Sequence, residues 1–389
     1  MSVFGKRKDR RLDTRKEELE RPYYGWIWKP LLVLLVLYLL ATLALGLWWS
    51  RPPAPFDVEQ VAAERREQIA EQAQQVALTE QTRGEVTIST MMELVATLLD
   101  KPGGYLRNDV FPPGLWLDNM PNWELGVLQQ VRDMTQELPL FDASRPGVLN
   151  EANERLRVDS RDWLFPSAEH RFGQAIDALG WYLQDLVRED EVAFVAEGEP
   201  LVQWLEQVEM RLDRLSQRLS ASVGEREALR DLQVDTDNLP ARTPWYKIDD
   251  IFFEARGTGW ALLHLLQAVE HDYVDLIEAG EAGGMVRQMI HELEMTQRRI
   301  MSPVILNGSG FGLFANHSLV MANYTVRARD LARELGQRLE GVSVSEPAEA
   351  EEAVTPPATD VDEREEQEEQ APIAADAQDA ATDVAEDEQ

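Results

Sequence analysis

Cysteine is absent from this 389-residue chain. That excludes disulfides, thiol nucleophiles and cysteine-based zinc sites, and it suits an oxidising compartment. Positive charge is also scarce beyond the N-terminus. Residues 1–51 carry ten Lys/Arg against five Asp/Glu, whereas residues 346–389 hold seventeen acidic groups and one basic group, Arg364. The formal charge of the whole is −32, of which −21 falls on residues 52–345. A body this acidic is repelled by phosphate backbones, so nucleic acid is not an expected partner.

Histidine is nearly missing, at five residues. "HELEM" from His291 lacks the second histidine of a zincin, and no glutamate stands three residues before any histidine, which removes the bundle-type di-iron signature. His264 and His271 share a helical face with Trp260 and Gln267, but their seven-residue separation, about 10.5 Å along the axis, is too long for one chelated ion. No metal or cofactor is assigned. The stretch "LNGSGFGLFANHSLVMANY", Leu306 to Tyr324, has the spacing G-x-G-x-G with no following lysine and with a helical pattern before it. It is therefore neither a dinucleotide loop nor a P-loop, and a helix–helix turn is the expectation. Asp249, Asp250, Glu254 and Arg256 crowd the start of one helical pattern, where acids complement the helix dipole. No catalytic residue is assigned.

What the chain does have is one long uncharged run. "PLLVLLVLYLLATLALGLWWS" lies between Lys29 and Arg51, and its 21 residues span roughly 31 Å as a helix. Tyr23, Tyr24, Trp26 and Trp28 flank one end and Trp48 and Trp49 the other, as interfacial anchors do. The run ends without a small-residue cleavage site, so it reads as a retained transmembrane helix over residues 25–50 rather than a signal peptide. Nine Lys/Arg precede it and Arg51 stands alone after it. The positive-inside rule then leaves residues 1–24 as a cytoplasmic basic arm and exports the rest, which in a bacterium means an inner-membrane, single-pass protein with a periplasmic C-terminal domain.

The exported part reads as all-α. Leu201, Leu205, Val208, Leu212, Leu215 and Leu219 form a heptad seam, and Phe172–Leu186 and Leu262–Leu276 repeat its alternation. Stretches 87–100, 122–137, 284–301 and 313–340 also fit helical spacing. No alternating run bounded by hairpin turns predicts a strand. The expectation is a spacer helix over 57–84, a helical bundle of seven or eight helices over 85–342, and an acidic tail over 343–389 that stays disordered for want of large apolar side chains.

The segment "KPGGYLRNDVFPPGLWLDNMPNW", Lys101 to Trp123, holds four prolines and three glycines, so it is a long loop and a candidate functional surface. Phe111, Leu115, Trp116 and Trp123 are expected to lie against the bundle. Arg107, Asn108, Asp109, Asp118 and Asn119 would then be free for polar contacts. Strict alternation of the helices puts this loop at the membrane-facing end and the Gly308–Gly312 turn at the far end. A crossover in 138–166 or 223–246 would instead join Trp116 and Asp118 to Asn316 and His317 in a binding pocket.

Four blocks carry a resemblance: "LLDKPGGYLRNDVFPPGLWLDNMPNWELGVLQQVRDM", "LSQRLSASVG", "PWYKIDDIFFEARGTGWALLHLL" and "SPVILNGSGFGLFANHSLVMANY". They resemble a proteobacterial inner-membrane family known only as domain of unknown function 2333. The resemblance implies a membrane-anchored envelope protein and supplies no activity, substrate or catalytic residue. The expected function is non-enzymatic binding or scaffolding of a cell-envelope protein partner, with the lipid bilayer engaged through residues 25–50 and with seams compatible with a homo-oligomer. The alternatives are a carboxylate-dependent hydrolase acting on a cell-wall component and a sensor, the latter disfavoured by so short a cytoplasmic arm.

Overall fold

The uncharged run forms helix α1, Gly25–Trp49, in the computed structural model, which describes residues 25–72, 81–189, 192–223, 229, 239–300, 305, 307 and 316–344. The basic arm, residues 73–80 of the predicted spacer, the Gly308–Gly312 turn and the tail from residue 345 lie outside the described residues. From Trp28 to Trp49, α1 is long and apolar enough to be a membrane span or a signal sequence. Its side chains are almost all exposed, which only a lipid-like surrounding makes cheap.

The remaining elements among the described residues are α-helices and two 3-10 turns, Gly114–Trp116 and Trp245–Lys247, with two isolated bridges and no strand. Asp57 caps helix α2, Val58–Gln72, by accepting from the amides of Glu59 and Gln60. The thin stripe of Val58, Ala62 and Ile69 is buried, and Arg65–Glu93 (2.8 Å) and Arg66–Glu85 (2.6 Å) clamp α2 to helix α3, Glu85–Asp100. Helix α2, the described helical part of the stretch read as a spacer, thus packs on α3.

Helices α4 (Asn119–Phe141), α5 (Pro146–Leu156), α6 (Ala168–Arg188) and α7 (Glu199–Ala221) follow. Then come α8 (Ile248–Asp272), the single turn α9 (Val274–Ala279), α10 (Gly283–Thr296) and α11 (His317–Leu339). The predicted seams are where the core lies: all six residues from Leu201 to Leu219 are buried, as are Leu262, Leu266, Val269, Tyr273 and Leu276. At roughly 1.5–3 kcal/mol for each buried large apolar side chain, these seams dominate the packing energy. Helix α8 runs through the middle and buries nearly every side chain after Asp250. Arg218 on α7 binds Glu254 on α8 through both carboxylate oxygens (2.7 and 2.8 Å), and Arg329 on α11 reaches Asp213 on α7. Ser343 bridges to Glu197 and the Val344 amide donates to Ala196, so the fold continues two residues into what composition assigned to the tail.

Two helices were not expected, α5 and α9. Helix α5 matters for topology, because it turns the chain back once more between α4 and α6. With it counted, successive long helices still alternate, but α11 now starts at the end of the bundle where α1 meets it. The Asn307 side chain donates to the Ser222 carbonyl just past α7, and the His317 ring lies 6.4 Å from Phe252 in the first turn of α8. Both flanks of the glycine turn therefore belong to the α1 end, not to the far end.

Candidate functional site

The α1 end gathers the loop 101–118, the connection 157–167 and the starts of α8 and α11. The loop is fixed from its first residue. Lys101 and Glu124, both fully buried, pair at 2.5 Å, and Glu124 also accepts the Leu106 amide at 2.9 Å. Burial pushes the Glu124 carboxyl up, while Lys101 works against that shift. Breaking one member of such a pair strands the other and costs about 3–5 kcal/mol, so this pair is a structural pin. Gly103 adopts φ +91°, and a Cβ there would lie 2.7 Å from the Trp49 ring; the glycine lets the loop touch the end of α1.

The polar residues expected to face a partner are mostly turned inward. Arg107 donates to the Ser160 hydroxyl and to the Pro121 carbonyl, both at 3.0 Å, and burial lowers its pKa. Asn108 donates to the Asp162 carbonyl and to Glu169, each at 2.9 Å. Asp109 folds over Gly114, and burial followed by the neighbouring Glu169 raises its carboxyl pKa. Asp118 caps α4, accepting from the Asn119 amide, and Asn316 caps α11, accepting from the Leu319 amide. Asn119 is half-buried with its Oδ1 unpartnered.

The aromatic side of that expectation is reversed. Trp123 is fully buried, but Phe111, Leu115 and Trp116 are exposed, at 75, 57 and 58 %. The reason is backbone chemistry. A loop rich in proline and glycine has few ladder bonds of its own, so its polar side chains are drawn in to satisfy main-chain groups and its apolar ones are left outside.

The loop and the described flanks of the turn reach the same end of the molecule, on either side of the first turns of α8. On one side Asn122 donates to Asp250 (2.8 Å); on the other Phe252 meets His317. Asp249 and Asp250 have raised pKa values, chiefly from burial, then from neighbouring carboxylates that include Asp118. Two cavities of about 240 Å³ each flank this segment and share Arg299 and Ile300. One is floored by Phe252, Val320, Met321 and Tyr324, with His317 and Arg298 on its wall. Burial lowers the His317 pKa. The other is lined by Ser50, Arg51, Asn119, Asp249 and Arg256. Sequence reasoning named Arg256 beside Asp249 but missed Arg51 and Arg299 as its neighbours, since only the fold brings the three together. It also missed the exposed run Trp163–Phe165, although three large apolar residues between Asp162 and Pro166 were a readable signal.

The described residues hold no cluster of His, Asp or Glu arranged for a metal ion. These features define a class: an all-α domain packed against one long apolar N-terminal helix. The chain belongs to the family described as an uncharacterized protein conserved in bacteria (DUF2333), with the match running over residues 22–340, from just before α1 to the end of α11. No curated protein and no solved structure matches it.

Proposed function

We propose that this is a single-pass inner-membrane protein whose helical domain, on the periplasmic side, holds a cell-envelope protein partner close to the bilayer without catalysing a reaction. The observation that carries this reading is the apolar cavity of Phe252, Val320, Met321 and Tyr324 beside Arg298, at the same end as α1. Val320 is 52 % exposed there, on a helix whose other face is buried in the core. A concave apolar floor with one cationic wall accepts an apolar side chain next to an acidic one. The remaining polar candidates, Asn119 and His317, line the two cavities and would orient the partner.

A photo-reactive amino acid at Val320 in living cells is the test. It should give a discrete adduct that disappears when Arg298→Glu is added, while the same probe at Trp181 gives none. No adduct at 320, or one indifferent to Arg298, sinks the reading.

A second reading has its own support. The raised carboxyls of Asp249 and Asp250, beside Asn119 and Arg256, are the kind of pair that a hydrolase of wall components would divide into acid and base. Release of soluble fragments from purified cell wall by the intact protein, lost in Asp250→Asn, would establish it in place of the first.

A further inference from the structure

Outside α1, seven described aromatic side chains are more than a third exposed: Phe111, Trp116, Trp163, Phe165, Trp181, Trp245 and Tyr246. Six of the seven belong to three connections at the α1 end. Phe111 and Trp116 lie between α3 and α4, Trp163 and Phe165 between α5 and α6, and Trp245 and Tyr246 just before α8. Leu115 and Leu164 are exposed beside them. The connections at the opposite end expose no aromatic side chain among the described residues. An exposed apolar patch concentrated on one end of a soluble-sized domain marks an interaction surface.

Helix α1 itself marks the depth of that patch. Thr42 and Gly46 are buried on an otherwise exposed helix, and a Cβ on Gly46 would lie 3.8 Å from both Pro113 and Leu117. Gly46 precedes Trp49 by three residues, about 4.5 Å of helix. The loop tip therefore lies alongside the apolar stretch of α1, not beyond its end. Whatever medium surrounds Leu45 and Leu47 also reaches Phe111, Leu115 and Trp116.

The cavity next to Ser50 adds charge of the right sign. Arg51, Arg256 and Arg299 line it, and none of the three forms an ion pair with a described carboxylate, although Asp249 lines the same cavity. Arg256 donates to the Gln297 carbonyl while its Nε is buried without a partner. Guanidinium groups without an ion pair among the described residues, at the exit of an apolar helix, match the level of lipid phosphates.

We propose that the three connections seat the domain directly on the bilayer, with their aromatic side chains in the lipid interface and Arg51, Arg256 and Arg299 facing phosphate groups. Trp, Tyr and Phe at the edge of an apolar plane are the side chains this interface favours. The inference rests on α1 spanning the membrane, as the reading above has it.

Because the chain has no cysteine, single-cysteine variants report one position each. Phe111→Cys, Phe165→Cys and Trp245→Cys test the surface, with Leu37→Cys in α1 and Trp181→Cys on the flank of α6 as controls. Each full-length variant is labelled with a fluorophore and reconstituted in phosphatidylethanolamine–phosphatidylglycerol vesicles carrying a lipid-borne nitroxide quencher. Positions 111, 165 and 245 should lose most of their fluorescence, nearly as much as position 37, while 181 keeps its own. Leu115→Cys and Leu164→Cys replace any aromatic variant that lowers the melting temperature. Quenching at 37 but not at the three surface positions overturns the docking surface and leaves the anchor standing. No quenching at 37 overturns the anchor and the docking with it. Shielded but unquenched labels mean that protein, such as a second copy of the chain, covers the patch, and that too overturns the proposal.

Discussion

At the scale of the residue, His264 shows how a scarce side chain is used structurally. It is fully buried, and Phe56, seven residues past the last tryptophan of the uncharged run, donates its amide to Nε2 at 3.0 Å. Nε2 thus bears no proton, so Nδ1 carries it and donates to the Trp260 carbonyl at 2.6 Å. The ring also stacks on Phe56 at 4.0 Å. This histidine pins the chain leaving α1 to the central helix. Burial lowers its pKa from 6.5 to about 4. Between those values the unfolded chain binds a proton that the folded chain does not, so stability falls as pH drops from 6.5 toward 4 and is untouched by this group above 6.5. At about 1.4 kcal/mol per pKa unit the full loss is roughly 3 kcal/mol. Urea unfolding of the detergent-solubilised chain should show that slope between pH 6.5 and 4, and His264→Gln should remove it while lowering stability at neutral pH. Parallel losses in both proteins would show that other groups set the acid sensitivity.

At the scale of the helix, the crossing of α4 and α8 depends on two glycines. A Cβ on Gly257 would fall 2.0 Å from the Trp123 carbonyl oxygen, and one on Gly126 would fall 2.1 Å from that of Glu254. Both obstacles are backbone, so the helices would have to separate. Gly257→Ala should cost about 1–3 kcal/mol or more by overpacking. Gly173→Ala on α6, where nothing lies within 4 Å, should instead gain up to about 1 kcal/mol from helix propensity. Thermal melts of the two variants should move in opposite directions; equal shifts would mean that the crossing tolerates a methyl group. Neither close approach is visible in sequence, because a glycine inside a helical pattern reads the same whether it meets a backbone or solvent. The long seams were legible, since seven-residue periodicity survives without knowing the partner helix. Helix α5 was not. Its Pro146–Gly147 start looks like punctuation, although proline is at home in a first helical turn, and its apolar stripe is only Leu149, Ala152 and Leu156. Strict alternation without it put the glycine turn at the far end; α5 is a reversal inside 138–166, one of the two connections named as able to undo that, and it brings the flanks Asn307 and Asn316 to the α1 end. The site suffered a related failure. Polarity in Arg107, Asn108 and Asp109 was legible, but whether it faces a partner or the protein itself depends on the Ser160 hydroxyl and the carbonyls of Pro121 and Asp162, which only the fold brings near.

At the scale of the molecule, the identity of the proposed partner turns on which side of a membrane the domain lies. The charge asymmetry around α1 is the physical basis: nine Lys/Arg before Pro30 against Arg51 alone in the following turn. Translocating the N-terminal cluster against an inside-negative potential is the costlier choice, so residues 1–24 should remain in the cytoplasm and residues from 52 onward should cross. A reporter for the far side has to be exposed, which rules out Ser222 just past α7, at 3 % exposure. Ala143, in the short connection between α4 and α5 at the end away from α1, is exposed. In intact cells an impermeant thiol reagent should label Ala143→Cys once the outer membrane is permeabilised, and should label Ser2→Cys only after the inner membrane is broken. The absence of native cysteine keeps the background at zero. Labelling of position 2 with protection of position 143 would place the domain in the cytoplasm. The aromatic plane would then still have a bilayer to rest on, but the partner would have to be sought on the opposite side.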